Sequence, residues 1–171
     1  MAKTKKLPEI KEPLKMLLSG NEAIALGARE AGIYFGVGYP GTPSTEILET
    51  FARIPGIKAQ WSPNEKVAFE VGIGAALAGS RTLVTMKHVG VNVAMDPLMT
   101  FAYTGTVGGF VFISADDPEL HSSQNEQDNR ILARFAKIPM LEPSDSSEAH
   151  DFMKYAIEIS EKFETPLMLR I

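Results

Sequence analysis

Cysteine is absent from all 171 residues. That removes disulfides, thiolate zinc sites, a thiol nucleophile and any iron–sulfur cluster ligated by the chain itself. Histidine is scarce too. His88, His121 and His150 are too scattered to suggest a metal cage, and nothing reads HExxH. No apolar run reaches the roughly eighteen residues of a membrane span, and Met16-Leu17-Leu18 is too short for the apolar centre of a secretory signal. Nor is basic charge in excess. Lys and Arg number 17 against 21 Asp and Glu, a net charge of −4 that argues against a nucleic-acid or membrane-surface partner. Lys3, Lys5 and Lys6 are too few to alter that and read as a solvated tail. The expectation is a cytoplasmic protein that touches neither nucleic acid nor membrane.

What is present reads as one domain. Residues 1–15, with Pro8 and Pro13, form an extended lead-in, and 16–171 hold the body. Leu14–Leu18 is a short strand or packs on that body. Short, continuous apolar runs alternate with helix signals: Ile33–Val37, Ile57–Trp61, Thr82–Met86, Phe110–Ser114, Met140–Leu141 and Pro166–Ile171 as strands. Between them come helices at Ala23–Ala31, Glu46–Ile54 after a Thr42-Pro43 start, Asp128–Phe135, and a long one after Asp145. The Asp145 helix is expected to bury Ala149, Phe152, Met153, Ala156 and Phe163. Asp96-Pro97 reads as a further cap and first position. Continuous rather than alternating strands predict a mostly parallel sheet covered on both faces, a three-layer α/β/α fold. Ligands of such sheets sit at the carboxyl ends of the strands. The candidate loops are therefore 38–45, 62–65, 87–92 and 114–127. The chain stops inside a strand-like segment, which implies more protein downstream.

The stretch Trp61–Gly79, WSPNEKVAFEVGIGAALAG, organises the rest. Ser62-x-x-Glu65 has the form of a capping box with Pro63 at the first helical position, as Ser19-x-x-Glu22 does earlier. Val67, Ala68, Val71, Gly72, Ala75, Ala76 and Gly79 then recur at helical spacing. Gly72, Gly74 and Gly79 each cost a helix about 1 kcal/mol against alanine, which implies close approach to a neighbour. A carboxylate at Glu65, in the first turn, is favoured by the helix dipole. It either serves the capping box or faces a ligand. Glu70 points elsewhere on the wheel.

Gly36-x-Gly38-x-x-Gly41 matches the dinucleotide fingerprint literally and follows a strand. However, Pro40 offers no N–H, and Pro43 opens the helix after the third glycine. The glycines read better as a tight turn, and a Rossmann-type NAD-dependent oxidoreductase is the rival reading. Tyr39–Thr45, YPGTPST, fixes the backbone with two prolines, lets a ligand approach at Gly41 and offers the hydroxyls of Thr42, Ser44 and Thr45; the plain alternative is an N-cap. His88 is either a substrate contact or an ordinary hydrogen-bonding residue. Asp116-Asp117-Pro118 reads as a turn, because adjacent aspartates point apart. His121–Asp128 is too polar for a simple connector and reads as a lid or an interface loop.

Six stretches, in order, carry a resemblance: Leu18–Ile24 (LSGNEAI), Tyr39–Glu46 (YPGTPSTE), Asn64–Ala68 (NEKVA), Gly72–Ala76 (GIGAA), Lys87–Asn92 (KHVGVN) and Ser122–Asp128 (SSQNEQD). Over residues 16–171 the chain resembles the amino-terminal domain of the alpha subunit of indolepyruvate ferredoxin oxidoreductases, within the 2-oxoacid:ferredoxin oxidoreductase family. The resemblance implies the pyrimidine-binding half of a thiamine diphosphate site. It places Glu65 as the catalytic carboxylate on the pyrimidine ring nitrogen. Gly41, Thr42, Gly90 and Asn92 become cofactor-binding residues, and Thr42 and His88 substrate-binding ones. The implied reaction is oxidative decarboxylation of a 2-oxoacid to an acyl-CoA, with coenzyme A as acceptor and electrons passed to ferredoxin. The family's Gly-Asp-Gly…Asn motif for magnesium and diphosphate, and its cysteine cluster for iron–sulfur centres, are not in this chain. Both groups are then expected elsewhere, on a second thiamine diphosphate-binding domain or subunit and on a ferredoxin-type iron–sulfur domain. The chain alone is expected not to turn over, and to work as a split subunit or cut-out domain in an oligomer. A partner domain that kept this fold without the chemistry is the remaining alternative.

Overall fold

The computed structural model of the protein describes residues 15–171. All of the expected lead-in but Lys15 lies outside them. Lys15–Leu18 carry no strand. The elements are α1 (Gly20–Glu30), β1 (Phe35–Gly38), α2 (Thr45–Arg53), β2 (Lys58–Trp61), α3 (Glu65–Leu77), β3 (Thr82–Lys87) and α4 (His88–Thr104). They continue as β4 (Phe110–Ala115), a 3-10 turn at Pro118–Leu120, α5 (Arg130–Ala136), β5 (Met140–Leu141), α6 (Ser146–Phe163) and β6 (Leu167–Arg170). The strands form one sheet in the order β2-β1-β3-β4-β6-β5. Every pairing is parallel, so the sheet is wholly rather than mostly parallel.

Burial explains the order. β3 (TLVTMK) and β4 (FVFISA) are buried along their length but for Lys87 and lie in the middle, covered on both faces. β2 reads KAQW and takes an edge, largely exposed. Side chains of β3 alternate between two cores. Leu83 faces α1, α2 and α6, with Ile24, Phe51 and Met153 around it. Val84 and Met86 face α3, α4 and α5, with Ala68, Phe101 and Ala133.

Phe69 is the residue the expected face of α3 omitted. It is fully buried, its ring 5.0 Å from Phe110, 5.3 Å from Phe112 and 6.4 Å from Phe101. Of the three glycines, only Gly72 meets the sheet closely: a Cβ there would stand 2.6 Å from Val84 Cγ2. Gly74 faces open space, and Gly79, at φ +88°, lies just beyond the helix end. Gly36 and Gly38 lie in β1 rather than in a turn. Cβ atoms there would meet Phe51 at 2.9 Å and the Thr85 hydroxyl, so they let α2 and β3 approach and cradle no phosphate.

Two other expectations change. Phe163 is exposed, and Ile157 and Ser160 take its place in the buried face of α6. Asp96-Pro97 starts no helix. Pro97 lies inside α4, which begins at His88 because β3 passes straight into it with Lys87 as the capping residue. Far from that junction, Arg81 ties the amino edge together. Its fork meets Glu161 at 2.6 and 2.8 Å, and its third nitrogen donates to the Ala31 carbonyl at 2.7 Å.

Candidate active site

Neighbouring strands β1 and β3 send their following helices to opposite faces, α2 to one and α4 to the other. In open parallel sheets a crevice forms at that reversal, outside the carboxyl ends of the strands. Three segments meet there.

The first is the start of α3. Asn64 caps it, its Oδ1 accepting from the Val67 amide at 2.9 Å. Glu65 is thus the first helical residue. The expected Ser62–Glu65 capping box does not form. Asn64 already supplies a cap, and the Ser62 amide donates to the Gly38 carbonyl at 2.9 Å, extending the ladder instead. The buried Ser62 hydroxyl has no partner. Glu65 is half-buried and leans on α4. A Cβ on Gly90 would stand 2.6 Å from Glu65 Cγ and 2.7 Å from its Oε1, so only glycine leaves the carboxylate its place. No described residue hydrogen-bonds to that carboxylate.

The second segment is the first turn of α4 with the loop after β4 folded onto it. His88 is fully buried. Its Nε2 lies 3.1 Å from the Asn125 carbonyl and 3.2 Å from Asn125 Oδ1. A carbonyl only accepts, so Nε2 carries the proton; in the neutral ring Nδ1 is a bare acceptor, and it has no partner. Asn92 and Gln127 exchange amide hydrogen bonds, both at 2.8 Å. Buried Asn129 donates to the His88 carbonyl at 3.0 Å and to Ser114 Oγ at 2.7 Å. The 121–128 stretch is therefore strapped to its own domain. Asp116 pairs with Arg170 at 2.8 Å. Asp117 accepts from Ser123 Oγ at 2.6 Å and the Ser122 amide at 2.8 Å, bonds that hold its carboxyl below the usual range. The two aspartates do point apart, and no cluster suited to a metal ion occurs among the described residues.

The third segment is the 39–44 loop. Thr42-Pro43, a cis peptide, does not start α2, which is entered at Ser44. The nearby hydroxyls brace the turn: Ser44 Oγ donates to the Gly41 carbonyl at 2.8 Å, and the Gly41 amide donates to Thr45 Oγ1 at 2.9 Å. Thr42 stays exposed. Gly41 makes room for Lys87, whose Cδ would lie 3.2 Å from a Cβ at 41. Lys87 Nζ donates to the Ser122 carbonyl at 2.6 Å.

Glu65, Gly90, His88 and Asn92 therefore share the α3–α4 corner, and Gly41 reaches the same edge through Lys87. Thr42 sits on the loop tip and makes no side-chain hydrogen bond to described residues. Sequence reasoning missed Asn125, Gln127 and Asn129 as the residues that fix this corner. The amide-rich composition of the loop was the available signal. Cavities also occur away from this corner. One of about 840 Å³ runs beside Met16, Leu26 and His150, between residues 16–18 and helices α1 and α6. It contains none of these groups, and we place the site at the crevice because the unpartnered carboxylate and the glycine that accommodates it are there.

Solved structures share this arrangement of strands and helices. A 2-oxoglutarate:ferredoxin oxidoreductase from Magnetococcus marinus superposes with a TM-score of 0.78 at 21% identity, over 90% of this chain and 28% of that one. A thiamine diphosphate-dependent 4-hydroxybenzoylformate decarboxylase from Rhodococcus jostii RHA1 gives 0.74 at 17% identity, over 90% and 30%. The fold is thus that of the thiamine diphosphate-binding α/β/α domains. Residues 26–171 match the family described as pyruvate flavodoxin/ferredoxin oxidoreductase, thiamine diphosphate-binding, and the chain belongs to it. Similar relatives include the indolepyruvate oxidoreductase subunit IorA of Archaeoglobus fulgidus, 56% identical over 91% of this chain and 26% of that protein. The IorA of Pyrococcus horikoshii is 53% identical over 91% and 24%. The 2-oxoglutarate synthase subunit KorA of Methanothermobacter thermautotrophicus is 31% identical over 89% and 43%. The chain spans about a quarter of the length of the IorA relatives. No helix among the described residues is long and apolar enough to cross a membrane.

Proposed function

We propose that this chain is the pyrimidine-binding domain or subunit of a thiamine diphosphate-dependent indolepyruvate or arylpyruvate ferredoxin oxidoreductase. The observation that carries the reading is the Glu65 carboxylate: first in its helix, unpartnered, and given its place by Gly90. These residues fit an aminopyrimidine ring. A ring nitrogen offers the carboxylate the partner it lacks, and Glu65 holds and moves a proton at that nitrogen. Gly90 leaves the Glu65 carboxylate its place, and Gly41 leaves the Lys87 stem its place at the same edge. Asn92, fixed by Gln127, borders the same surface. The exposed Thr42 hydroxyl is a donor for the substrate, and the fully buried His88 orders the corner behind it. Thiamine diphosphate, when bound, supplies the electron sink for decarboxylating a 2-oxoacid.

The open edge at Glu65 is closed, on this reading, by a second thiamine diphosphate-binding domain or subunit that holds the diphosphate and magnesium. A ferredoxin-type domain with iron–sulfur clusters passes electrons to ferredoxin, and coenzyme A accepts the acyl group. The high identity to IorA over this segment favours aryl substrates. Glu65→Gln in the assembled enzyme should lower decarboxylation by about 10²–10⁴-fold, the usual reach of one acid–base group, with the thermal melting curve unchanged. Near-normal decarboxylation in that variant overturns the reading.

A further inference from the structure

We propose that Lys87 binds the carboxylate of the 2-oxoacid, an assignment that rests on the function proposed above. Lys87 ends β3, a central strand bordering the crevice, three residues before the glycine that accommodates Glu65. Its stem lies along Gly41, which half-buries the side chain and presents the ammonium, in an exposed hydrogen bond, at that edge. The other half-buried cations each have an acidic or aromatic partner in contact: Lys66 has Asp96, Arg81 has Glu161, Arg170 has Asp116, and Arg29 stacks on the Tyr34 ring. Lys87 has none among the described residues. One of its three N–H groups goes to the neutral Ser122 carbonyl, which leaves donors to spare. With no carboxylate in contact, the ammonium keeps its charge and its free N–H groups available to an anionic ligand.

The neighbouring groups argue for one negative charge on that ligand. Asp117 is near enough to feel the Lys87 charge but is occupied by Ser122 and Ser123. It offsets part of the field and disfavours a polyanion. A carboxylate takes two charge-assisted hydrogen bonds readily, from the ammonium and from a hydroxyl. Thr42, next to Gly41, supplies the hydroxyl.

The test uses the assembled enzyme and an unreactive probe pair, the 2-hydroxy acid analogue of the arylpyruvate and its neutral amide, titrated calorimetrically. The unaltered enzyme should bind the acid about ten- to a hundredfold more tightly than the amide. Lys87→Met and Lys87→Gln should each abolish that gap, and Lys87→Arg should restore most of it. KM for the 2-oxoacid should rise in step while KM for coenzyme A stays fixed. Two neutral variants guard against one that folds badly. An acid preference that survives both overturns the assignment, as does a rise confined to the coenzyme A KM. If Glu65→Gln is inactive while the preference survives, only the lysine assignment falls. If Glu65→Gln turns over normally, the underlying reading falls.

Discussion

At the start of α1, the Ser19 amide donates to Glu22 Oε2 at 2.8 Å while the Glu22 amide donates to Ser19 Oγ at 3.3 Å. At the start of α3, the same Ser-x-x-Glu spacing closes nothing: the Ser62 amide serves β1, Asn64 takes over the cap, and Glu65 faces the next helix. One glutamate is consumed by its own backbone, whereas the other is released from it. Asparagine precedes the glutamate in both, Asn21 as well as Asn64, so the difference comes from outside the segment: the Gly38 carbonyl takes the Ser62 amide into the sheet. With that amide in the ladder the helix begins later, capped by Asn64, and the glutamate moves from the third helical position in α1 to the first in α3, where it no longer reaches back.

The most damaging way to break this contrast is to loosen α3 itself. Phe69→Ala should cost about 3–5 kcal/mol, read as a lower denaturant midpoint. Next, Gly90→Ala places a methyl where the Glu65 side chain lies. Turnover of the assembled enzyme should fall by about 10²-fold, with the secondary-structure signal intact. A smaller change sharpens the contrast. Ser19→Ala should cost about 1 kcal/mol of stability and leave turnover alone, whereas Glu65→Gln should do the reverse. Equal stability losses in both would remove the distinction. The smallest effect is in pH. The Ser19 amide, then its hydroxyl, hold the Glu22 carboxyl below its ordinary value of 4.5. Because the native value is depressed, the stabilisation is fully present above that ordinary value and fades as pH falls through the lower native one. Carboxyl NMR should show a Glu22 midpoint below 4.5.

The strand runs were legible because parallel strands buried on both faces read as near-continuous apolar runs: Phe110–Ile113 of β4 and Leu167–Leu169 of β6 are unbroken, and β3 is interrupted only by small threonines before Lys87. The Ser19 box and the Asp145 cap were legible because each is satisfied within four residues. The α3 cap was misread because the ladder bond that occupies the Ser62 amide comes from Gly38, 24 residues earlier in the sequence (62 − 38). For the same reason Asp96-Pro97 looked like a helix start. Nothing near it reveals that α4 has been running since His88. At the site, Glu65 and Gly90 were named separately, and only the packing of α3 on α4 shows that they touch. The side-chain amides of Asn125, Gln127 and Asn129 pair across 35 to 41 residues with His88 and Asn92, and no local pattern encodes that.

The Arg81 fork, at the end of the sheet away from the site, has an implication for descent. Its guanidinium joins the start of β3 to α6 and to the end of α1 with geometry that a lysine does not reproduce. Positions 81 and 161 are therefore expected to evolve as a unit, so that a lineage that abandons the arginine should abandon the glutamate as well.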